Sequence, residues 1–323
     1  MAKILVGTCS WTDPTFLASG WYPKTANTAE KRLQYYAAQF PIVEVDATYY
    51  AMPSQRNARL WVERTPPDFI FNVKAFRLFT SHPTQLRALP GDVRSLIPPS
   101  EKANLYYRDV PQEARALLWQ QFSDALLALD SAGKLGVVLF QFPEWFFPGR
   151  DSLHLIEEAR QRLSQYRLAV EFRNGTWTSE SRREETFGFL RDNGLSYVSV
   201  DEPQGFRSSV PPVAEATSDI AVVRFHGRNR EAWEKKGIGV AERFKYLYEQ
   251  DELKEWTPKL AKLAPQVKEL HVMFNNCYGD YGVRNARDMD HLIRSQPALF
   301  PDYQHPPKGE AAGTGPPPAG AEG

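Results

Sequence analysis

The stretch VEVDATYY, Val43 to Tyr50, decides how the rest of the chain is read. β-Branched and aromatic residues dominate it, so it reads as a strand. Glu44 and Asp46 lie two positions apart and therefore point to one face. A strand covered on both faces should be apolar throughout. Two carboxylates on one face need a place where charge can pair and meet water.

The same design recurs along the chain. Strand-like runs are KILVGT from Lys3, IVEVDA from Ile42, FIFNVK from Phe69 and LGVVLFQF from Leu135. LAVEFR from Leu168, SYVSVD from Ser196, IAVVRFHG from Ile220 and ELHVMFNN from Glu269 follow. Most have an apolar body and turn polar towards the C-terminal end. Amphipathic segments intervene, most clearly Glu113 to Asp130, where Leu117, Leu118, Phe122, Ala125 and Leu129 recur at helical spacing. Strand–helix alternation predicts a parallel sheet, and eight units predict an α/β fold of the (β/α)₈ TIM-barrel type.

The polar pairs then fall together. They are Glu44 and Asp46, Asn72 and Lys74, Glu171 and Arg173, Ser199 and Asp201, Arg224 and His226. Facing outward they would meet the apolar undersides of helices, at a cost of roughly several kcal/mol each if unpaired. Facing inward they form a polar ring at the barrel mouth, where active sites sit in this architecture. The competing reading is a structural salt-bridge ring, with Glu44 neutralised by Lys74 and Glu171 by Arg173.

Composition narrows the class. The chain has 323 residues, 42 % of them hydrophobic, and a formal net charge of zero. That balance gives no bulk attraction to nucleic acid or an anionic membrane. The start, MAKILVGTCS, is too short for a secretory h-region, and no apolar run has membrane-span length. Two cysteines, Cys9 and Cys277, exclude a disulfide framework. These features predict a cytoplasmic protein with one barrel domain over residues 1–303. The Pro/Gly/Ala-rich stretch 304–323 reads as a disordered tail.

A family resemblance rests on GTCSW, GWYP, LQYYAAQFPIVEVDATYYAMP, FNVKAFRLFTSHP, LFQFP, VEFRNGTW, RFHGRN and HVMFNNCYGDYGVRNA. In this order they resemble the YecE-like family, domain of unknown function 72, over roughly Ile4 to Tyr303. The resemblance implies a (β/α)₈ barrel with a polar pocket at the strand ends; it implies no reaction. Two segments depart from the simplest members. Leu86 to Pro111 is long for a connection after the third strand, and is expected at the rim of the pocket as a lid. NREAWEKKGIGVAERFKYLY replaces the family's Gly/Tyr run after the seventh strand.

Several chemistries compete for the ring. Glu44, Glu171 and Asp201 could supply a glycosidase pair, but the fourth and seventh strand ends carry Gln141 and Arg224 with His226 instead. Glu171, Asp201 and His226 have metal-ligand chemistry, yet Arg173 and Arg224 place positive charge beside them, and no metal is assigned. Anion recognition has more support. HGRNR and NNCYGDYGVRNA follow the seventh and eighth strands, where barrels often hold phosphate, and Arg228, Asn275, Asn276 and Asn285 supply donors. Aromatics among basic residues, including Trp11, Tyr50, Trp177 and Trp233, make nucleic acid an alternative that is not favoured.

The reading is therefore a pocket for a small anionic or polyhydroxylated molecule, with acid–base chemistry and no organic cofactor. Glu44 or Glu171 is the candidate base, and Asp201 a further catalytic carboxylate. Lys74, Arg173, Arg224 and His226 hold charge that develops on oxygen. Gln141, Trp11 and Tyr50 complete the binding set. A non-catalytic ligand-binding barrel is the alternative.

Overall fold

Runs of Val, Ile, Leu and Phe supply eight strands, each ending in, or followed at once by, a polar residue. In the computed structural model, which describes residues 2–99, 102–301 and 303, the strands are β1 (Lys3–Thr8), β2 (Ile42–Val45), β3 (Ile70–Lys74), β4 (Leu135–Gln141), β5 (Leu168–Glu171), β6 (Ser196–Asp201), β7 (Ile220–Phe225) and β8 (Glu269–Phe274). They pair in chain order, all parallel, and β8 pairs with β1 from Lys3↔Glu269 to Thr8↔Phe274. The sheet is a closed (β/α)₈-type barrel with helices between strands. The expected tail, 304–323, lies outside the described residues.

The main helices are α1 (Ala29–Ala37), α2 (Gln55–Glu63), α3 (Gln112–Ser131), α4 (Arg150–Arg162), α5 (Arg183–Asp192), α6 (Thr257–Leu263) and α7 (Tyr281–Arg294). Local chemistry sets their ends. Thr28 and Ser54 accept from the backbone N–H of Lys31 and Asn57, capping α1 and α2. Gly133, at φ 66°, takes the left-handed conformation just past α3 and turns the chain into β4. One unit is incomplete: residues 202–219, between β6 and β7, contain no helix.

The outward faces of the strands join the helix undersides in one large apolar core. Inside the barrel Leu139, Val198 and Val222 belong to the same core, while Leu5, Cys9, Ile42, Ile70 and Met273 form a small cluster of their own. Space there is tight. A Cβ on Gly7 would lie 2.1 Å from the Ile42 carbonyl oxygen, and one on Gly136 would lie 2.3 Å from Asn72 Oδ1. The plug of the barrel is thus apolar below and charged above.

Leu86–Pro111 differs from a lid. Its Leu89, Val93, Leu105, Tyr107 and Val110 are buried. Tyr107 accepts from Trp119 Nε1 of α3 at 2.7 Å and donates to Glu158 of α4 at 2.8 Å. Phe79 stacks on Trp119 with centroids 3.7 Å apart. Apolar anchoring on α3 and α4 makes this segment a packed excursion on the helical layer.

Candidate functional site

Register places the polar residues. Glu44 is level with Asn72, Lys74 with Leu139, Gln141 with Glu171, and Arg224 with both Val200 and Met273. Residues level in a parallel sheet share a face, so these side chains all enter the barrel. Arg224, from β7, is fully buried at its centre. Its Nη1 donates to Glu171 Oε2 and its Nη2 to Glu44 Oε1, each at 2.5 Å. One guanidinium therefore ties β7 to β5 and to β2.

Glu171 collects one further cation and a neutral imidazole. Arg173 Nε lies 2.8 Å from its Oε1, an ionic contact without hydrogen-bond alignment. His226 Nε2 is 3.2 Å from the same oxygen. Burial alone would raise this carboxyl, but Arg224, Arg173 and His226 hold it well below the usual range. Glu44 has one firm cation, and burial pushes it up. Burial and Arg173 push His226 down to about 3, so the ring is neutral. Asn275 Nδ2 lies 2.9 Å from His226 Nδ1. An amide proton donated there leaves the ring proton on Nε2, towards Glu171.

Above this centre lies the mouth. Lys74 Nζ pairs with Asp46 Oδ1 at 2.7 Å, so Lys74 neutralises Asp46 and Arg224 neutralises Glu44. The expected Glu44–Lys74 pair is replaced because Arg224 reaches Glu44 first from across the barrel. Arg173 Nη1 donates to Glu202 Oε2 at 2.5 Å, and Glu202 Oε1 accepts from Val210 N at 2.7 Å. Burial pushes the Glu202 carboxyl up to about 7, against the pull of Arg173. The Arg173 guanidinium also lies 5.2 Å from the Trp233 ring.

Similarity to known proteins agrees with this architecture. The sequence matches the family described as "Protein of unknown function DUF72" over residues 5–310. The chain belongs to the DUF72 family. It is 33 % identical over 294 residues to the UPF0759 protein YunF of Bacillus subtilis, covering 90 % of this chain and 94 % of YunF. Among solved structures, a DUF72 family protein of Thermotoga maritima is 31 % identical, with a TM-score of 0.70 over 90 % of this chain and 99 % of its own. A DUF72 family protein of Enterococcus faecalis is 25 % identical, with a TM-score of 0.72 over 93 % and 97 %. The function of the family is not established.

In this DUF72 barrel several expected site residues sit elsewhere. Asp201 is level with Phe225, not Arg224, so it faces the helical layer. There it accepts from Trp256 Nε1 and Tyr248 Oη, each at 2.7 Å, and from Arg228 at 2.7 and 2.9 Å. Arg228 also meets Glu255 at 2.8 Å and Glu252 at 3.5 Å. Asn276 Nδ2 donates to Tyr246 O and Asn285 Oδ1, and Asn285 Nδ2 donates to Tyr248 O. The donors expected to hold an anion are thus spent on protein acceptors that fix the segment after β7. Trp11 is also displaced: it is buried, edge-on to Trp61 and Phe71 in the outer core. Trp177 is buried too, stacked on Phe172, which removes it from any stacking surface for bases.

Glu202 was not legible as a site residue. In SVDE the two adjacent carboxylates serve opposite faces, and the strand phase alone assigns Glu202 inward. Trp145 was likewise outside the selected set. Tyr49 lies over Lys74 at 4.8 Å and Arg77 at 5.3 Å.

With Asp201 turned away, Glu171 and His226 keep no third ligand; among the described residues no three His, Cys, Asp or Glu side chains are grouped to hold a metal ion. A small recess by the start of α7, lined by Ser10, Asp13, Cys277 and Gly282, opens beside Thr8 and Phe274 on the outward face. It is separate from the charged centre, and Asp13 makes it unsuited to anions. Among the described residues no helix is long and apolar enough to cross a membrane.

Proposed function

We propose that the mouth binds a small molecule through a phosphate or carboxylate group, held between Lys74 and Arg173 with Gln141 between them. The carrying observation is that both cations have donors to spare. Lys74 offers three N–H groups and has one carboxylate partner, Asp46. Arg173 uses Nε and Nη1 on Glu171 and Glu202, which leaves Nη2 for a ligand. Gln141 is half-buried on the same inward face.

The placement of the donors supports an anion. Lys74 and Arg173 are paired through only some of their N–H groups, and burial raises Glu202, the carboxyl beside Arg173, to about 7. A negative group entering there meets donors that the protein's own carboxylates leave unused. For proton transfer, Glu202 is better placed than Glu171 or Glu44: it titrates near neutrality, whereas Glu171 is held ionised by its cations.

The test is calorimetric titration of the full-length protein with inorganic phosphate, acetate and citrate, alongside mass spectrometry of small molecules that co-purify with it. Wild type should bind at least one of these anions, and Lys74→Met and Arg173→Met should each weaken binding at least tenfold. Anion binding that survives both substitutions, or no binding by wild type, would overturn the reading.

A further inference from the structure

The mouth has an aromatic side that the anion site does not use. Tyr50 and Tyr49 meet edge-on at 5.0 Å, Tyr49 and His82 at 5.3 Å, and His82 and Trp145 at 5.8 Å. This row runs from the segment after β2, across the one after β3, to the one after β4. Its outer members are open: Tyr50 is 49 % and Trp145 47 % exposed. Lys74 lies under Tyr49, 4.8 Å from the ring centre. The row and the anion anchor therefore adjoin.

His82 adds a polar feature to this row. Thr80 Oγ1 donates its single proton to the Arg77 carbonyl at 3.1 Å. At its 2.9 Å contact with His82 Nδ1 it therefore accepts, and the imidazole proton sits on Nδ1. Burial, with Lys74 and Arg77 beside it, keeps the ring neutral, its pKa down at about 3. Nε2 then carries a bare lone pair. Among the described residues no group hydrogen-bonds Nε2, and it is not one of the buried atoms sealed from solvent. A lone pair surrounded by cations and ring edges calls for a donor that carries no positive charge, a hydroxyl group above all.

The geometry points to a sugar subsite: the exposed ring of Trp145 packs on the apolar C–H face of a sugar, and His82 Nε2, beside it, accepts from one of its hydroxyls. This deepens the anion reading and rests on it. The ligand class becomes a sugar bearing a negative group, either a sugar phosphate or a sugar acid. Aromatic rings with one apolar face and polar surroundings suit such amphipathic partners, and a site built to accept from a hydroxyl discriminates against analogues that lack it.

Calorimetry on the full-length protein tests this with a panel of pentose and hexose phosphates and hexuronates, measured against inorganic phosphate and acetate. The expected result is at least one sugar anion binding tenfold or more tighter than its bare anion. Phosphate-bearing and carboxylate-bearing members distinguish the two sources. Trp145→Ala and His82→Phe should each remove most of that gain while leaving affinity for the bare anion within twofold. His82→Phe keeps the ring and deletes only the acceptor, and melting temperatures of both variants show that they fold. The subsite is overturned if no sugar anion exceeds its bare anion, or if both variants weaken bare and sugar-borne anions alike. Bare anions binding without a sugar gain would sink the subsite and spare the anion reading; failure of every anion would sink both.

Discussion

Arg224 Nη1 donates to Glu171 Oε2 over 2.5 Å, and both side chains are 0 % exposed. The same guanidinium holds Glu44 on the far side. Removing one member of a buried pair leaves an uncompensated charge, which costs more than the pair itself contributes. Arg224→Met should therefore destabilise the fold by about 3–5 kcal/mol. Adding Glu44→Gln and Glu171→Gln should restore most of that loss, because Glu44 is then no longer a bare charge and Glu171 no longer depends on Arg173 alone. Urea unfolding of the three proteins checks this. A mild effect of Arg224→Met, with no recovery in the triple variant, would contradict the bridging role.

Glu202 gives a pH signature of opposite sign to an ordinary ion-paired carboxylate. Its folded pKa, about 7, lies above the usual 4.5. Its contribution to stability is full below the unfolded value and is lost as pH rises through the folded one. Glu202→Gln lacks that loss. Relative to wild type, the variant should gain stability steadily as pH rises from about 5 to about 8, whatever its offset at the acid end. Unfolding free energies at four pH values measure the slope; parallel curves would refute the raised pKa.

Asp201 is assigned a structural role by its four donors. Asp201→Asn keeps the shape but loses the charge that Arg228, Trp256 and Tyr248 address. The expected cost is about 1.5–3 kcal/mol, the range for hydrogen bonds to a charged group. Anion affinity should stay within twofold of wild type. Loss of binding at unchanged stability would return Asp201 to the site.

Gly7 tests the tightness of the barrel interior. A methyl group there would sit 2.1 Å from a backbone oxygen of Ile42, which cannot swing aside as a side chain does. Gly7→Ala should lower stability by about 1–3 kcal/mol or more through overpacking. Thermal denaturation measures it, with Gly239→Ala, at φ −68° and with nothing within 4 Å of the added methyl, as a control without crowding.

Strand identity was legible because it depends on local composition, and all eight runs form strands. Inward placement of Glu44, Lys74, Glu171 and Arg224 was legible for a related reason: each lies two residues beyond another inward residue, apolar in three cases and Asn72 in the case of Lys74. β6 broke that rule. Ser199 and Asp201 looked like an inward pair, but Val198 and Val200 take the inner rows opposite Val222 and Arg224. Phase in that strand is set by its neighbour, which its own residues do not encode. Partner choice was equally hidden. Whether Lys74 meets Glu44 or Asp46 depends on Arg224, 150 positions further along. The fate of Arg228, Asn276 and Asn285 turned on aromatic residues of the segment after β7, whose path no periodicity announces.

The bridge made by Arg224 also has an order in time. A chain leaving the ribosome presents Glu44 and then Glu171 well before Arg224 exists, since the three lie in β2, β5 and β7. Until then Glu171 has Arg173 beside it, but Glu44 lacks its ion-pair partner and nothing ties the strands across the hollow. The unpaired Glu44 charge, and its pull towards water, disfavour early closure of the partial sheet on itself. Domains finish folding as units when their last elements arrive. Here the arrival of the seventh strand turns an electrostatic obstacle into a clasp, so the barrel is discouraged from shutting before β8 is available to seal it.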